Sequence, residues 1–257
     1  MIAAQLIGRF ILAVFAHPDD ESLACGGTLA RLADAGMRVV VMSASHGERG
    51  GQAGPARDDA LAQTRALELR DAAATLGLTG VIVGDHPDGE LQWAHVTEFH
   101  AELVTFMRRH QPAAVITFGG DGLYWHQDHV GVHERTTAAV RSLGADAPPL
   151  YYVTMAEGVM TEIVEAACRR GWTPPSRGFW SLLPDAFGIG AKPPTVSIDV
   201  ADWVQRKLAA MLCHRSQMID RHPFAQLQDA DARRLLGVEY FHRADVATTG
   251  PAVLEHL

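Results

Sequence analysis

Ala13-Val14-Phe15-Ala16-His17-Pro18-Asp19-Asp20-Glu21 is the stretch on which the reading turns. Four apolar residues run into one imidazole and three carboxylates. This is the pattern of a buried strand delivering polar groups at its carboxyl end, where open α/β sheets place their chemistry. His17 and Asp20, three apart, can both turn toward one cation, and Asp19 between them is free to act as a base. A metal hydrolase is the expectation. The competing reading is that the carboxylates only cap the following helix, because negative charge is favoured at helix N-termini.

The rest of the chain is compatible with one large α/β domain. At 257 residues, with 47% hydrophobic and 20% charged residues, it can bury a substantial core. We expect a single domain over 1–257, with a core at about 9–170 and a C-terminal extension at about 171–257. The net charge of −8 and scattered basic residues exclude the electrostatic footprint of a nucleic-acid binder. Cys25, Cys168 and Cys213 make no thiolate metal spacing and read as reduced thiols. The apolar N-terminus has Arg9 as its only charge and lacks the basic region of a signal peptide, and no uninterrupted apolar run reaches about 20 residues. The expected location is cytoplasmic, with no membrane span.

Outward from the first motif, strands are expected at 9–16, Met37–Ala44, Val81–Gly84, Ala113–Phe118, Leu150–Met155 and Thr195–Val200. Helices are expected at Ser22–Ala35, Asp58–Leu76, Trp93–His110, Glu157–Arg170 and Asp202 to about Met218, with Gly36 and Gly77 as stops. The alternation predicts a parallel sheet covered on both faces. Arg65 and Glu68, three apart, read as a surface ion pair. His95, His100 and His110 read as surface residues. The glycine-rich loop from Ser45 to Pro55 fits neither dinucleotide nor phosphate-loop patterns. Residues 173–194, rich in proline and carrying Phe179, Trp180 and Phe187, form a long irregular segment, either binding element or packing filler.

The fourth strand empties into a second cluster, Gly119 to His133, which contains His126, Asp128 and His129. Two polar clusters after parallel strands can meet in space, and the glycines allow close approach. His129 and His133 have the spacing of a zinc-binding helix, but Val130 stands where its catalytic Glu belongs, so His133 reads as a helix-face residue.

With HPDDE, GERGG, RALEL, HPDG, HQDH, then a Lys followed by CHRSQ and EYF, in that order, the chain resembles the LmbE-like or PIG-L family of metal-dependent N-deacetylases. The resemblance implies a Rossmann-like three-layer α/β/α fold and hydrolysis of N-acetyl, or other N-acyl, groups on glucosamine-type sugars. It implies Zn²⁺ on His17, Asp20 and His129, with other divalent metals accepted, and Asp19 as general base. His126, in its charged form, would stabilise the oxyanion or protonate the leaving amine. Asp128 would orient it and raise its pKa. Arg49, Arg65 and Asp88 fall at positions near the substrate, and Tyr124 lies close enough in sequence to His126 to contact the reacting carbonyl. Where the family commonly has HPDH, this chain has Gln127 in place of proline. An amidase of the same family acting on a larger glucosaminyl amide, such as a mycothiol conjugate, and a non-catalytic sugar-binding module are the alternatives. The partner is a small N-acetylated amino sugar, and homo-oligomerisation, with the His214 region at an interface, is left open.

Overall fold

The computed structural model describes residues 7–50, 57–176, 181–218, 222–248 and 250–257. Gly51 to Pro55 of the glycine-rich loop, and Gly178, Phe179 and Trp180 of the irregular segment, lie outside the described residues. Seven strands form one sheet: β1 (Phe10–Phe15), β2 (Arg38–Ser43), β3 (Gly80–Val83), β4 (Ala114–Phe118), β5 (Leu150–Thr154), β6 (Val196–Asp199) and β7 (Val238–Arg243). Their order is β3-β2-β1-β4-β5-β7-β6, parallel from β3 to β5 and antiparallel where β7 pairs with β5 and β6.

Helices cover both faces, so β1, β4 and β5 are buried along their whole length and tolerate continuous apolar sequence. They are α1 (Asp20–Asp34), α2 (Asp59–Leu76), α3 (Val96–His110), α4 (Gln127–Arg141), α5 (Val159–Cys168), α6 (Val204–Cys213) and α7 (Asp229–Leu236). The expected three-layer α/β architecture is present. Strand order reverses between β1 and β4, which opens a crevice at their carboxyl ends.

The tail departs from the sequence reading. Residues 223–244, which gave no element on their own, contain α7 and β7, and β7 enters the sheet between β5 and β6. The region beyond residue 171 therefore extends the same sheet. Helix α1 carries a second feature invisible in its sequence. Cys25 (φ −153°, ψ 30°) interrupts it, and Glu239 of β7 accepts hydrogen bonds from the freed N–H groups of Gly27 (3.0 Å) and Thr28 (2.7 Å). A carboxylate thereby caps the second half of the helix, and Lys207 of α6 neutralises it at 2.7 Å.

Candidate active site

The reversal in strand order brings the two sequence clusters together. His17 leaves β1, and Asp19 and Asp20 begin α1. His126, Asp128 and His129 open α4 after β4. Centroids of the His17 ring lie 5.1 Å from His126 and 5.4 Å from His129, and His126 and His129 are 4.6 Å apart. His129 is buried and stacked on Phe118 at 4.0 Å.

Hydrogen bonding fixes which nitrogen of each ring faces the centre. His17 Nε2 sits 3.0 Å from both Asp88 Oδ1 and Asp128 Oδ2, so it carries the proton and donates. His17 Nδ1 then faces Asp20 Oδ2 at 3.4 Å. His129 Nδ1 donates to the Gly122 carbonyl (3.1 Å), so Nε2 is the nitrogen turned toward the centre. That atom is fully buried without a hydrogen bond, 3.1 Å from Asp20 Oδ1. A positive charge belongs between that nitrogen and the carboxylate, either a proton on the ring or a metal ion.

A divalent cation resolves this arrangement, because His17 Nδ1, an Asp20 carboxylate oxygen and His129 Nε2 are the borderline-hard donor set such ions take. Ligand atoms of His17, His126 and His129 lie within 4.8 Å of one another, as do those of His17, Asp88 and Asp128. In the second group the carboxylates already occupy the outer nitrogen of His17. They therefore orient that ligand from behind, as carboxylates do for metal-binding histidines.

The outer shell is built with care. Asp128 also accepts from the backbone N–H of Gly89 (2.6 Å) and Leu91 (3.0 Å), and Asp88 accepts from Arg49 N (2.7 Å). The loop at 88–92 reaches Asp128 because Gly131 of α4 has no side chain: a Cβ there would come within 2.6 Å of the Leu91 carbonyl oxygen. Burial opposes ionisation of Asp88 and Asp128, but hydrogen bonds from His17 prevail and hold both carboxyls below their usual range. Burial likewise opposes charge on His17, yet its bonds to Asp128, Asp20 and Asp88 outweigh that and raise its pKa well above the ordinary value.

Asp19 differs from its neighbours. Its side chain makes no capping hydrogen bond, which removes the helix-cap reading. It instead accepts from Arg65 (3.1 Å) and is held at φ 129°, a conformation that L residues adopt only when the surroundings impose it. Burial, together with the charge of Asp20, pushes its carboxyl up to about 6 despite the attraction of Arg65.

Two expectations need correction. Arg65 and Glu68 do not form a surface pair: both are buried, while Leu67 on the expected apolar face is exposed. The Arg65 guanidinium donates to the carbonyls of Gly47 (2.8 Å) and Pro18 (2.7 Å) as well as to Asp19, and Glu68 accepts from Ser216 N and Oγ. Arg65 thus fastens the site from beneath. The charge state of His126 also differs. Burial and the neighbouring His129 and His17 lower its pKa to about 4, more than Asp20 and Asp128 raise it. The Asp128 carboxylate lies on His17, and Asp128 meets His126 through its backbone N–H, which donates to Nδ1 at 3.3 Å. Neutral His126 therefore presents Nε2–H. His214 itself is fully buried, with Nε2 2.8 Å from Glu21.

Of the other expected substrate residues, Arg49 is partly exposed and pairs with Glu90 at 2.6 Å, and Tyr124 packs 5.2 Å from His129 and 5.0 Å from Phe187. His133 donates to the Phe118 carbonyl (2.9 Å) and packs on Tyr152, away from the centre. The sequence reading missed the layer beneath α1: Glu21 with His214, Glu68 with Ser216, and Glu239 with Lys207. All six belong to motifs quoted above or stand beside them, which is the only signal they gave.

No helix among the described residues is long and apolar enough to cross a membrane. The family described as PIG-L, GlcNAc-PI de-N-acetylase, matches residues 12–140. A 1D-myo-inositol 2-acetamido-2-deoxy-alpha-D-glucopyranoside deacetylase of Thermobispora bispora is 31% identical, over 95% of this chain and 91% of its own. The protein of the same name from Acidothermus cellulolyticus is also 31% identical, over 91% and 88%. Among solved structures, GalB, a 4-carboxy-2-hydroxymuconate hydratase of Pseudomonas putida, shares the fold with a TM-score of 0.66 at 21% identity, over 95% of this chain and all of its own. The N,N'-diacetylchitobiose deacetylase of Pyrococcus horikoshii does so with a TM-score of 0.62 at 21% identity, over 92% and 84%. The chain belongs to the PIG-L (LmbE-like) family of de-N-acetylases, hydrolases that act on N-acetyl amide bonds.

Proposed function

We propose that this protein removes the N-acetyl group from an N-acetylglucosamine-containing glycoside, using Zn²⁺ on His17, Asp20 and His129. The convergence of His17 Nδ1, the Asp20 carboxylate and His129 Nε2 on one buried spot carries the reading, since a divalent ion can displace the ring protons there and take all three groups. The names of the two relatives support an inositol glycoside of that sugar as the first substrate to try.

An amide needs an activated water, a stabilised oxyanion and a proton for its departing nitrogen. A bound divalent ion would acidify a water and polarise the acyl oxygen. Asp19, with its carboxyl near 6, is ionised at neutral pH yet basic enough to take the water's proton. Arg65 holds that carboxylate in place through its rigid fork. His126 donates Nε2–H to the acyl oxygen as charge develops there; being neutral, it does not compete with the cation for the three inner ligands. As the C–N bond breaks, the proton on Asp19 passes to the nitrogen, giving the neutral amine and acetic acid; the acid's remaining proton, the second hydrogen of the water, then goes to the amine, so acetate and the ammonium form of the sugar leave.

The test is free-amine release from N-acetylglucosaminyl-inositol and from N-acetylglucosamine by metal-loaded protein, with and without chelator. Chelator-sensitive release is expected. Absence of release from both, with one equivalent of metal bound, overturns the proposal.

A further inference from the structure

Trp125 stands immediately before His126 in a backbone conformation that suits glycine. In the turn Gly122–Trp125, Leu123 and Trp125 have φ of 65° and 64°, left-handed values that an L side chain adopts at a cost of about 1 kcal/mol or more. Leu123 is fully buried, so packing repays its strain. Trp125 is 57% exposed. A large apolar side chain is thus held at strain, mostly in water, next to a residue of the active site.

The irregular segment after residue 180 explains how the indole is held. Gly188 N donates to the Leu123 carbonyl (3.1 Å) and Phe187 packs on Tyr124, which docks the segment onto the turn. Gly190 then lies against the indole: a Cβ at that position would sit 2.8 Å from Cζ2 of Trp125. Gly190 itself has φ 80°. One edge of the ring is braced and the rest faces solvent, beside Ile189, which is 47% exposed. Leu182 and Leu183, also exposed, precede the same short turn at Pro184–Ala186. The segment thus carries several exposed apolar side chains, whereas the loop at 85–90 carries Asp85, Asp88 and Glu90.

We propose that Trp125 is a specificity-determining residue: its indole is a platform on which the aglycone attached to the N-acetylglucosamine unit stacks, through an aryl ring or the C–H face of a cyclitol. This rests on the deacetylase reading for the identity of the sugar. Aromatic side chains with a braced edge and an open face are suited to such contacts, because little rotamer freedom is lost when the partner lands.

The experiment is calorimetric binding, with turnover in parallel, of methyl and p-nitrophenyl N-acetylglucosaminides to metal-loaded wild type, Trp125→Gly and Trp125→Phe. Wild type is expected to bind the aryl glycoside about tenfold tighter than the methyl glycoside. Trp125→Gly should abolish that ratio while Tm does not fall, since glycine relieves the backbone strain, and Trp125→Phe should keep most of it. An unchanged ratio in Trp125→Gly, or no aryl preference in wild type, overturns the platform. A fall in Tm with the ratio intact would show the indole to be a strut between the turn and the segment, which also overturns it. Aryl preference without turnover of either glycoside would leave the platform standing and refute the deacetylase reading. Turnover of both without preference does the reverse.

Discussion

Two layers of buried charge lie on either side of the start of α1, and they are built on opposite terms. Beneath the helix each carboxylate is closed by a protein partner, Glu21 by His214 and Ser22, Glu239 by Lys207 and two backbone N–H groups, and Glu68 by Ser216, while His214 Nδ1 is left over. At the crevice four carboxylates, those of Asp19, Asp20, Asp88 and Asp128, meet three imidazoles and one guanidinium, and His129 Nε2 is left without a hydrogen bond. Completed networks rigidify, and incomplete ones wait for a ligand. Substitutions should therefore separate the two layers cleanly.

The largest effect is expected at the incomplete layer. Asp20→Ala and His129→Ala should lower deacetylation by about 10³-fold or more and abolish the rise in Tm that wild type shows on adding metal. With metal at about 100 times its Kd, that rise corresponds to about 2.7 kcal/mol. A variant that loses activity but keeps the metal-dependent rise would show that the ligand set has been drawn wrongly. Asp19→Asn should come next, with turnover down about 10²- to 10⁴-fold and metal content unchanged by elemental analysis.

The complete layer should answer in stability. Lys207→Met leaves the Glu239 carboxylate buried beside Gly27 and Thr28 without its cation, and removing one partner of such a pair typically costs about 3–5 kcal/mol. Chemical denaturation should show that loss, whereas metal stoichiometry of the folded protein should stay at one. Loss of metal without loss of stability would mean that the two layers are not distinct.

The same contrast explains what was legible in the sequence. β1 and β4 announce themselves because a fully buried strand is continuously apolar and because ligands follow each directly, so fold and inner site could be read together. The supporting layer could not. Arg65 and Glu68 look like surface residues on a helix whose apolar stripe is broad, and only the three-dimensional meeting of α2 with the loops after β1 and β2 shows what their charges serve. β7 escaped for a related reason: Val238-Glu239-Tyr240-Phe241-His242-Arg243 carries a buried Glu where an apolar residue is expected, because that side chain caps an interrupted helix. The charge on His126 was misread because it depends on burial, and on His17 from the other cluster as well as the neighbouring His129.

Arg65 belongs to both layers and gives the smallest and sharpest test. Its guanidinium is spent on two carbonyls, as in the complete layer, and on Asp19, as in the incomplete one. Its charge lowers the Asp19 carboxyl, which burial has pushed up to about 6. The base works only when ionised, so kcat/KM should rise with pH through the carboxyl's pKa, and a bound cation moves that limb to lower pH. Removing the guanidinium charge must move it the other way. Arg65→Met should therefore shift the acid limb of the metal-loaded enzyme to higher pH than in wild type, while activity on the plateau falls less than for Asp19→Asn. Arg65→Lys keeps the charge but loses the fork, and should lower the plateau with little displacement of the limb. An acid limb that stays put in Arg65→Met would mean that a group other than Asp19 takes the proton.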